Sequence, residues 1–233
     1  MPLIDQANIA CGMHASDPLT LLNTVRLAIQ HQVEIGAHPG YPDKEGFGRR
    51  AMALSEDEVY ALVLYQLAAI DGICRSHGAE VGYVKPHGAL YHAMMKDQPT
   101  RLAIMRAVAD YPARLSLVLL ATGDYQRFQD EAQQFADAGL QLRFEAFADR
   151  AYDDEGQLVA RHIEGAVHHE LAKVVAQAEQ IATYGEVTTQ SGKRIALPAQ
   201  TLCVHGDNDA ALNAVKAIRK MLGAHSGNQI SGR

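Results

Sequence analysis

Four short stretches of the chain each place a histidine among small residues directly after an apolar run. They are Ala10-Cys11-Gly12-Met13-His14, Ile35-Gly36-Ala37-His38-Pro39, Val84-Lys85-Pro86-His87-Gly88 and Cys203-Val204-His205-Gly206-Asp207. Neutral imidazole is a common nitrogen ligand for zinc-like metals and the usual acid or base near neutral pH. A lone histidine at a strand end is as often a half-buried, hydrogen-bonded residue with no further role. Four at equivalent positions predict more. If each apolar run is a strand and the strands are parallel neighbours, the imidazoles meet at one end of the sheet, where α/β folds place their chemistry. A divalent metal is a separate expectation, because no His-x-x-x-His or Cys-x-x-Cys spacing fixes it. Its candidate ligands are His14, His38, His87, His205 and Asp207.

Other reactive groups follow apolar runs in the same way. Asp149, after Glu145-Ala146-Phe147-Ala148, is placed to orient a histidine, act as general base or bind metal. Arg150 beside it offers a bidentate clamp for carboxylate or phosphate, unless the two simply pair to stabilise a loop. Lys85, two residues before His87, supplies a cation for an anionic substrate or phosphate. Asp207 serves equally well as a ligand or as the N-cap of the last helix. The loop from His38 to Ala53 is longer than usual connections and holds Pro39-Gly40-Tyr41-Pro42 and Gly46-Phe47-Gly48-Arg49-Arg50. It reads as a lid, with Arg49 and Arg50 available to anions, or as a surface excursion. The chain has neither a Gly-x-x-x-x-Gly-Lys-[Ser/Thr] loop nor a Gly-x-Ser-x-Gly elbow, so any ATP chemistry does not use a P-loop of this chain.

The elements that carry these groups alternate. Strand-like runs are expected at Ala7–Cys11, Val33–Ala37, Val81–Lys85, Leu115–Ala121, Leu142–Phe147 and Thr201–Val204. Helices are expected after Asp17-Pro18, from the Ser55-Glu56-Asp57-Glu58 capping box to about His77, and over Pro99–Ala109, Asp124–Ala138, Gly165–Tyr184 and Asn208–Leu222. Val187–Thr189 and Arg194–Leu197 read as a hairpin, and His225–Arg233 as a frayed tail. Six βα steps in 233 residues without a composition break predict a single domain over 1–233 with a parallel sheet, closed as a barrel or open. The net charge of −6 gives no nucleic-acid footprint. No apolar run approaches membrane-spanning length and the N-terminus lacks a signal pattern. Three dispersed cysteines, Cys11, Cys74 and Cys203, suit a reduced, cytoplasmic protein.

The segments Ala7–Pro18, Gly36–Asp43 with Gly46–Arg50, Val84–Tyr91, Glu145–Tyr152 and Cys203–Asp207 run in the order found in the LamB/YcsF family, which the chain resembles over nearly its whole length. Met13 and Ser16 replace the Phe and Gly usual in that family's first motif. Family members begin one βα step earlier, with a strand of the type Asp-Leu-Asn-x-Asp-x-Gly-Glu. This chain therefore reads as shortened, lacking the first strand and its carboxylates. The resemblance implies an irregular, seven-stranded (β/α) barrel of the glycoside hydrolase/deacetylase type. It also implies one component of a three-part complex, with partners B and C, that opens 5-oxoproline to glutamate while consuming ATP. In that setting Asp149, His38 or His87 would activate water, and Lys85, Arg49 or Arg150 would hold phosphate or the substrate carboxylate. Two other readings are a stand-alone metal-dependent amidohydrolase or deacetylase, and a non-catalytic lactam-binding or regulatory subunit.

Overall fold

The computed structural model of the chain describes residues 1–204 and 209–228. It divides into two compact units, Met1–Leu119 with Arg127–Arg143, and Leu120–Gln126 with Phe144–Arg233.

The first unit is built on parallel βα steps: β1 (Gln6–Ala10), α1 (Pro18–Gln30), β2 (Glu34–His38), α2 (Glu56–Ser76), β3 (Val81–Val84), α3 (Gly88–Lys96), α4 (Gln98–Ala109) and β4 (Ser116–Leu120). The strands β1, β2, β3 and β4 pair in that order, all parallel. All five residues of β4 are buried, as its continuous apolar sequence predicts. Two helices start where the sequence places caps. The Asp17 carboxylate accepts from the Leu19 and Thr20 N–H groups at 2.9 and 3.0 Å, with Pro18 in the first helical turn. Ser55 and Glu58 close a reciprocal capping box on α2. The faces these helices bury are Leu21, Val25 and Ala28 on α1, and Val59, Val63, Leu67, Ile70 and Cys74 on α2.

Inside this unit, from the N-terminal ends of the strands to their middle, side chains interlock across β1, β2 and β3. The Tyr83 ring lies over Gly36, where a Cβ would come within 2.1 Å of the ring carbon Cζ. This lets the Tyr83 hydroxyl reach across β2 and donate to Asn8 Oδ1 at 2.9 Å. Glu34 accepts from the Gln6 amide and from both terminal nitrogens of Arg143, at 3.0 and 3.3 Å.

The second unit carries the end of β5 (Gln141–Phe147), then α6 (Leu171–Tyr184), the antiparallel hairpin β6 (Glu186–Thr188) and β7 (Arg194–Ala196), β8 (Thr201–Cys203) and α7 (Asp209–Asn228). The strands β5 and β8 are parallel, with Glu145 opposite Thr201 and Phe147 opposite Cys203. Ala148, Val174, Ala178, Ala214 and Ile218 form a common core under α6 and α7. Helix α5 (Tyr125–Ala132) lies across the division between the units along the chain.

Several expectations need correction. Helix α3 follows His87 directly and lies outside the expected Pro99–Ala109 helix, although Leu90, Tyr91, Met94 and Met95 give it a buried face. Helix α5 stops at Ala132 and a 3₁₀ turn over Gln133–Phe135 follows, short of the expected Ala138. Helix α6 begins at Leu171, not near Gly165, because the preceding stretch is drawn into an antiparallel bridge between Arg150 and Val167. Helix α7 continues to Asn228, past the expected Leu222 and into the segment read as a tail.

Candidate functional site

Parallel pairing of β1, β2 and β3 sends three of the four histidine motifs out of the same end of the first unit's sheet. His38 is the last residue of β2, His14 follows β1 by four residues and His87 follows β3 by three. Gly12, at φ +93°, turns the chain after β1, and its N–H donates to the Ala15 carbonyl at 3.0 Å. His87 occupies the N-cap position of α3, and its N–H donates to the Pro39 carbonyl at 2.7 Å. The loop after β2 is folded over the imidazoles. Buried Gln66 on α2 bonds both the N–H and the carbonyl of Gly40, each at 3.0 Å. The Ala89 N–H donates to the Gly48 carbonyl at 2.9 Å. Gly48, at φ +65°, sits so close that a Cβ would fall 2.7 Å from His14 Cβ and 2.9 Å from His87 Cδ2. Asp43 braces the loop by accepting from the Gly46 N–H at 3.0 Å and from the Arg50 guanidinium. That guanidinium is the first cause holding the Asp43 carboxyl down to about 2.

The bonding around two histidines assigns their protons. His38 Nδ1 lies 2.6 Å from the Lys85 carbonyl oxygen, and His87 Nε2 lies 2.7 Å from the Phe47 carbonyl oxygen. A carbonyl oxygen only accepts, so both of these nitrogens carry the hydrogen. In neutral rings the other nitrogens, His38 Nε2 and His87 Nδ1, then carry lone pairs, and they face each other at 3.0 Å. His14 stacks on His87 with centroids 3.9 Å apart and planes 5° from parallel, and stands edge-on to His38 at 5.7 Å. One nitrogen from each of the three rings lies within 4.8 Å of the others. His14 is buried, and its Nδ1 makes no hydrogen bond. Burial lowers the His14 pKa to about 3, with the positive charge His87 can carry as a second cause. Burial, then the Lys85 charge, puts His38 well below the ordinary imidazole range. Two imidazole nitrogens that face each other in this way suit an incoming proton.

Lys85 is buried at the same strand end, with its Nζ 6.0 Å from the centre of the Tyr91 ring. The Phe47 ring stands edge-on to His14 and His87 at 5.8 and 5.1 Å, and the exposed Arg49 guanidinium lies 5.2 Å from its centre. The site thus combines three imidazoles, a buried lysine and an exposed arginine on one apolar ring. Phe47 escaped the sequence reading as a site residue. Its contribution is a carbonyl oxygen and a ring edge, and its only signal was its place between two glycines of an unusually long loop.

The remaining candidates belong to the second unit. Asp149 is half-buried at the end of β5, and its carbonyl accepts from the His168 N–H at 2.8 Å. Arg150 is 2% exposed and donates to the carbonyls of Val159 at 2.6 Å and Ala166 at 3.2 Å. Buried Gln177 on α6 donates to the carbonyls of Phe147 and Arg150, both at 2.8 Å. These bonds hold the 148–168 segment together, so Arg150 does here what a loop-stabilising arginine does. His205 and Asp207 lie outside the described residues.

The fold and site define a parallel βα protein whose polar chemistry sits on the loops leaving its strand ends, around a buried histidine cluster. The LamB/YcsF family model matches residues 1–231, and the chain belongs to that family. It is 51% identical over 219 residues to the A subunit of 5-oxoprolinase from Chromohalobacter salexigens, covering 94% of this chain and 86% of that protein. It is 49% identical over 227 residues to the A subunit of 5-oxoprolinase from Pseudomonas fluorescens, covering 97% and 89%. A crystal structure of the lactam utilization protein from Thermus thermophilus superposes with a TM-score of 0.87 at 40% identity, over 97% of this chain and 87% of that one. Among the described residues no helix is long and apolar enough to cross a membrane.

Proposed function

We propose that this chain is the A subunit of an ATP-dependent 5-oxoprolinase and acts on the lactam ring of 5-oxoproline. The observation that carries this reading is identity of about half, over almost the entire chain, with relatives bearing that name. The chemistry of the site supports it. A five-membered lactam is an unstrained, resonance-stabilised amide. Transfer of a phosphoryl group from ATP to the amide oxygen, releasing ADP, makes the ring carbon electrophilic; water attacks that carbon, the C–N bond breaks with a proton going to nitrogen, and a second water hydrolyses the resulting acyl phosphate to the carboxylate and phosphate. Such a route needs cations for phosphate and for the substrate carboxylate, and a base for water. Lys85 and Arg49 are the cations beside the histidine cluster. His38 and His87, each with one nitrogen bonded to a carbonyl and the other turned toward its neighbour, are the bases, with Asp149 as a further carboxylate. Two partner subunits, B and C, complete the enzyme, and a cytoplasmic location accords with three free cysteines.

The test is reconstitution of the chain with its two partners. ATP-dependent glutamate release is expected, and it should be lost in His38→Ala. Release that survives His38→Ala and Asp149→Asn combined sinks the assignment of these residues; no release with all partners present sinks the function. A second reading, a stand-alone metal-dependent amidohydrolase, draws on the convergence of His14, His38 and His87. Amide hydrolysis by the isolated chain, without ATP and abolished by a chelator, would establish it instead.

A further inference from the structure

We propose that His14 donates a hydrogen bond from its Nε2 to the amide oxygen of the bound lactam. The inference deepens the lactam reading and rests on it, and it gives work to a ring that the proposed route leaves unused. His14 is 2% exposed, and among the described residues neither of its nitrogens makes a hydrogen bond. Three sides of the ring are occupied. His87 covers one face, with centroids 3.9 Å apart and planes 5° from parallel. Gly48 closes on the root of the side chain, where a Cβ would fall 2.7 Å from His14 Cβ. Gly40 closes on the Nδ1 side, where a Cβ would fall 2.5 Å from that nitrogen. Gln66 holds Gly40 there by bonding both its N–H and its carbonyl. Nδ1 is therefore shut off from solvent as well as unbonded, whereas Nε2, at the tip of the ring, is not shut off.

This arrangement assigns the ring's hydrogen. On Nδ1 it would be buried with nothing to accept it; on Nε2 it can meet an acceptor that a ligand brings. Packing alone does not call for nitrogen, because a phenylalanine would stack on His87 without burying an unbonded polar atom. What imidazole adds is a donor at the open tip. One nitrogen from each of His14, His38 and His87 lies within 4.8 Å of the others. Water held by His38 or His87 attacks the ring carbon, so the oxygen on that carbon comes within reach of a donor this close to the bases. The amide oxygen has two lone pairs, and one can hold the Nε2–H while the other receives phosphorus. As the second water attacks carbon in the acyl phosphate, that oxygen departs with phosphate and takes up negative charge. A fixed N–H aimed at it stabilises the charge where it develops. A neutral imidazole that donates to a substrate oxygen is an established electrophile. His14 keeps its hydrogen throughout.

Two variants separate packing from donation. His14→Phe keeps a flat ring against His87 and loses the donor; His14→Gln loses the ring and keeps an N–H near the place of Nε2. In the full chain reconstituted with its partners, His14→Phe is expected to lower kcat for glutamate release by about 10²–10³-fold, the range for removing one such donor, with KM changed less. His14→Gln is expected to run about tenfold or more above His14→Phe, the worth of one hydrogen bond. A ¹⁵N spectrum of the histidine-labelled wild-type chain should show the hydrogen of His14 on Nε2 and a bare Nδ1, a measurement that needs no variant to fold. The proposal is overturned if His14→Phe turns over like the wild type, if His14→Gln is no faster than His14→Phe, or if His14 carries its hydrogen on Nδ1. Absence of glutamate release from the wild-type complex would instead remove the lactam reading; the ¹⁵N result comes from the chain alone and stands apart from it.

Discussion

The two ends of the first unit's sheet handle buried polarity in opposite ways. From the N-terminal ends of the strands to their middle, polar side chains answer one another: Tyr83 with Asn8, and Glu34 with Gln6 and Arg143. At the other end three imidazoles converge, two lone pairs face each other and a buried His14 nitrogen makes no hydrogen bond. The difference separates stability from function. A satisfied network contributes to folding, whereas a buried nitrogen without a partner, as on His14, costs stability. The Arg150–Gln177 network of the second unit resembles the satisfied end, although sequence reading places Arg150 among substrate-binding residues.

The sharpest way to break this contrast is to remove one member from each end. His38→Ala or His87→Ala should lower reconstituted turnover by about 10²–10⁴-fold, the range for a lost acid or base, while a cooperative urea transition is retained. A large loss of stability with turnover intact would reverse the assignment. Gly36→Ala should do the opposite. A Cβ 2.1 Å from the Tyr83 ring must displace it, costing about 3 kcal/mol in denaturant unfolding, near the upper end for overpacking. The protein should also respond to acid at the histidine end. The folded His14 stays neutral down to about 3 and His38 is likewise depressed, whereas the unfolded chain takes up their protons from 6.5 downward. Stability is therefore full above 6.5 and falls as pH drops below it, by up to about 1.4 kcal/mol per pH unit for each such histidine. Denaturant midpoints in His14→Phe should show a shallower acid limb than the wild type; an unchanged slope would show that His14 does not contribute. The smallest effect is expected for Arg143→Ala. Its ion pair with Glu34 is partly exposed, so unfolding should shift by about 1 kcal/mol or less, with turnover unaltered.

Much of the scaffold is legible in the sequence because its signals are local. Asp17-Pro18 and the Ser55–Glu58 box mark helix starts by hydrogen bonds within a few residues, and the apolar run at β4 marks a strand buried on both faces. Where longer contacts compete, reading from sequence fails. The segment from Gly165 looks helical, but Val167 bridges to Arg150 and the His168 N–H bonds the Asp149 carbonyl. Arg150 looks available to an anion, but its carbonyl partners Val159 and Ala166 lie 9 and 16 residues away. Helix α3 escapes notice because His87 and Gly88 read as a loop, and a short helix that opens on a motif is masked by it.

For the histidines themselves, the sequence by itself determined their number, their small neighbours and their place at strand ends. Parallel pairing then had to bring His14, His38 and His87 together. What only the tertiary structure decided is which nitrogen of His38 and of His87 keeps its lone pair. That depends on carbonyl groups 47 residues away for His38 and 40 for His87, set in place by β3 and by the folded loop. The imidazole ring is nearly symmetric in its two nitrogens, so residue type cannot choose between them; the hydrogen bond donated by one nitrogen leaves the lone pair on the other.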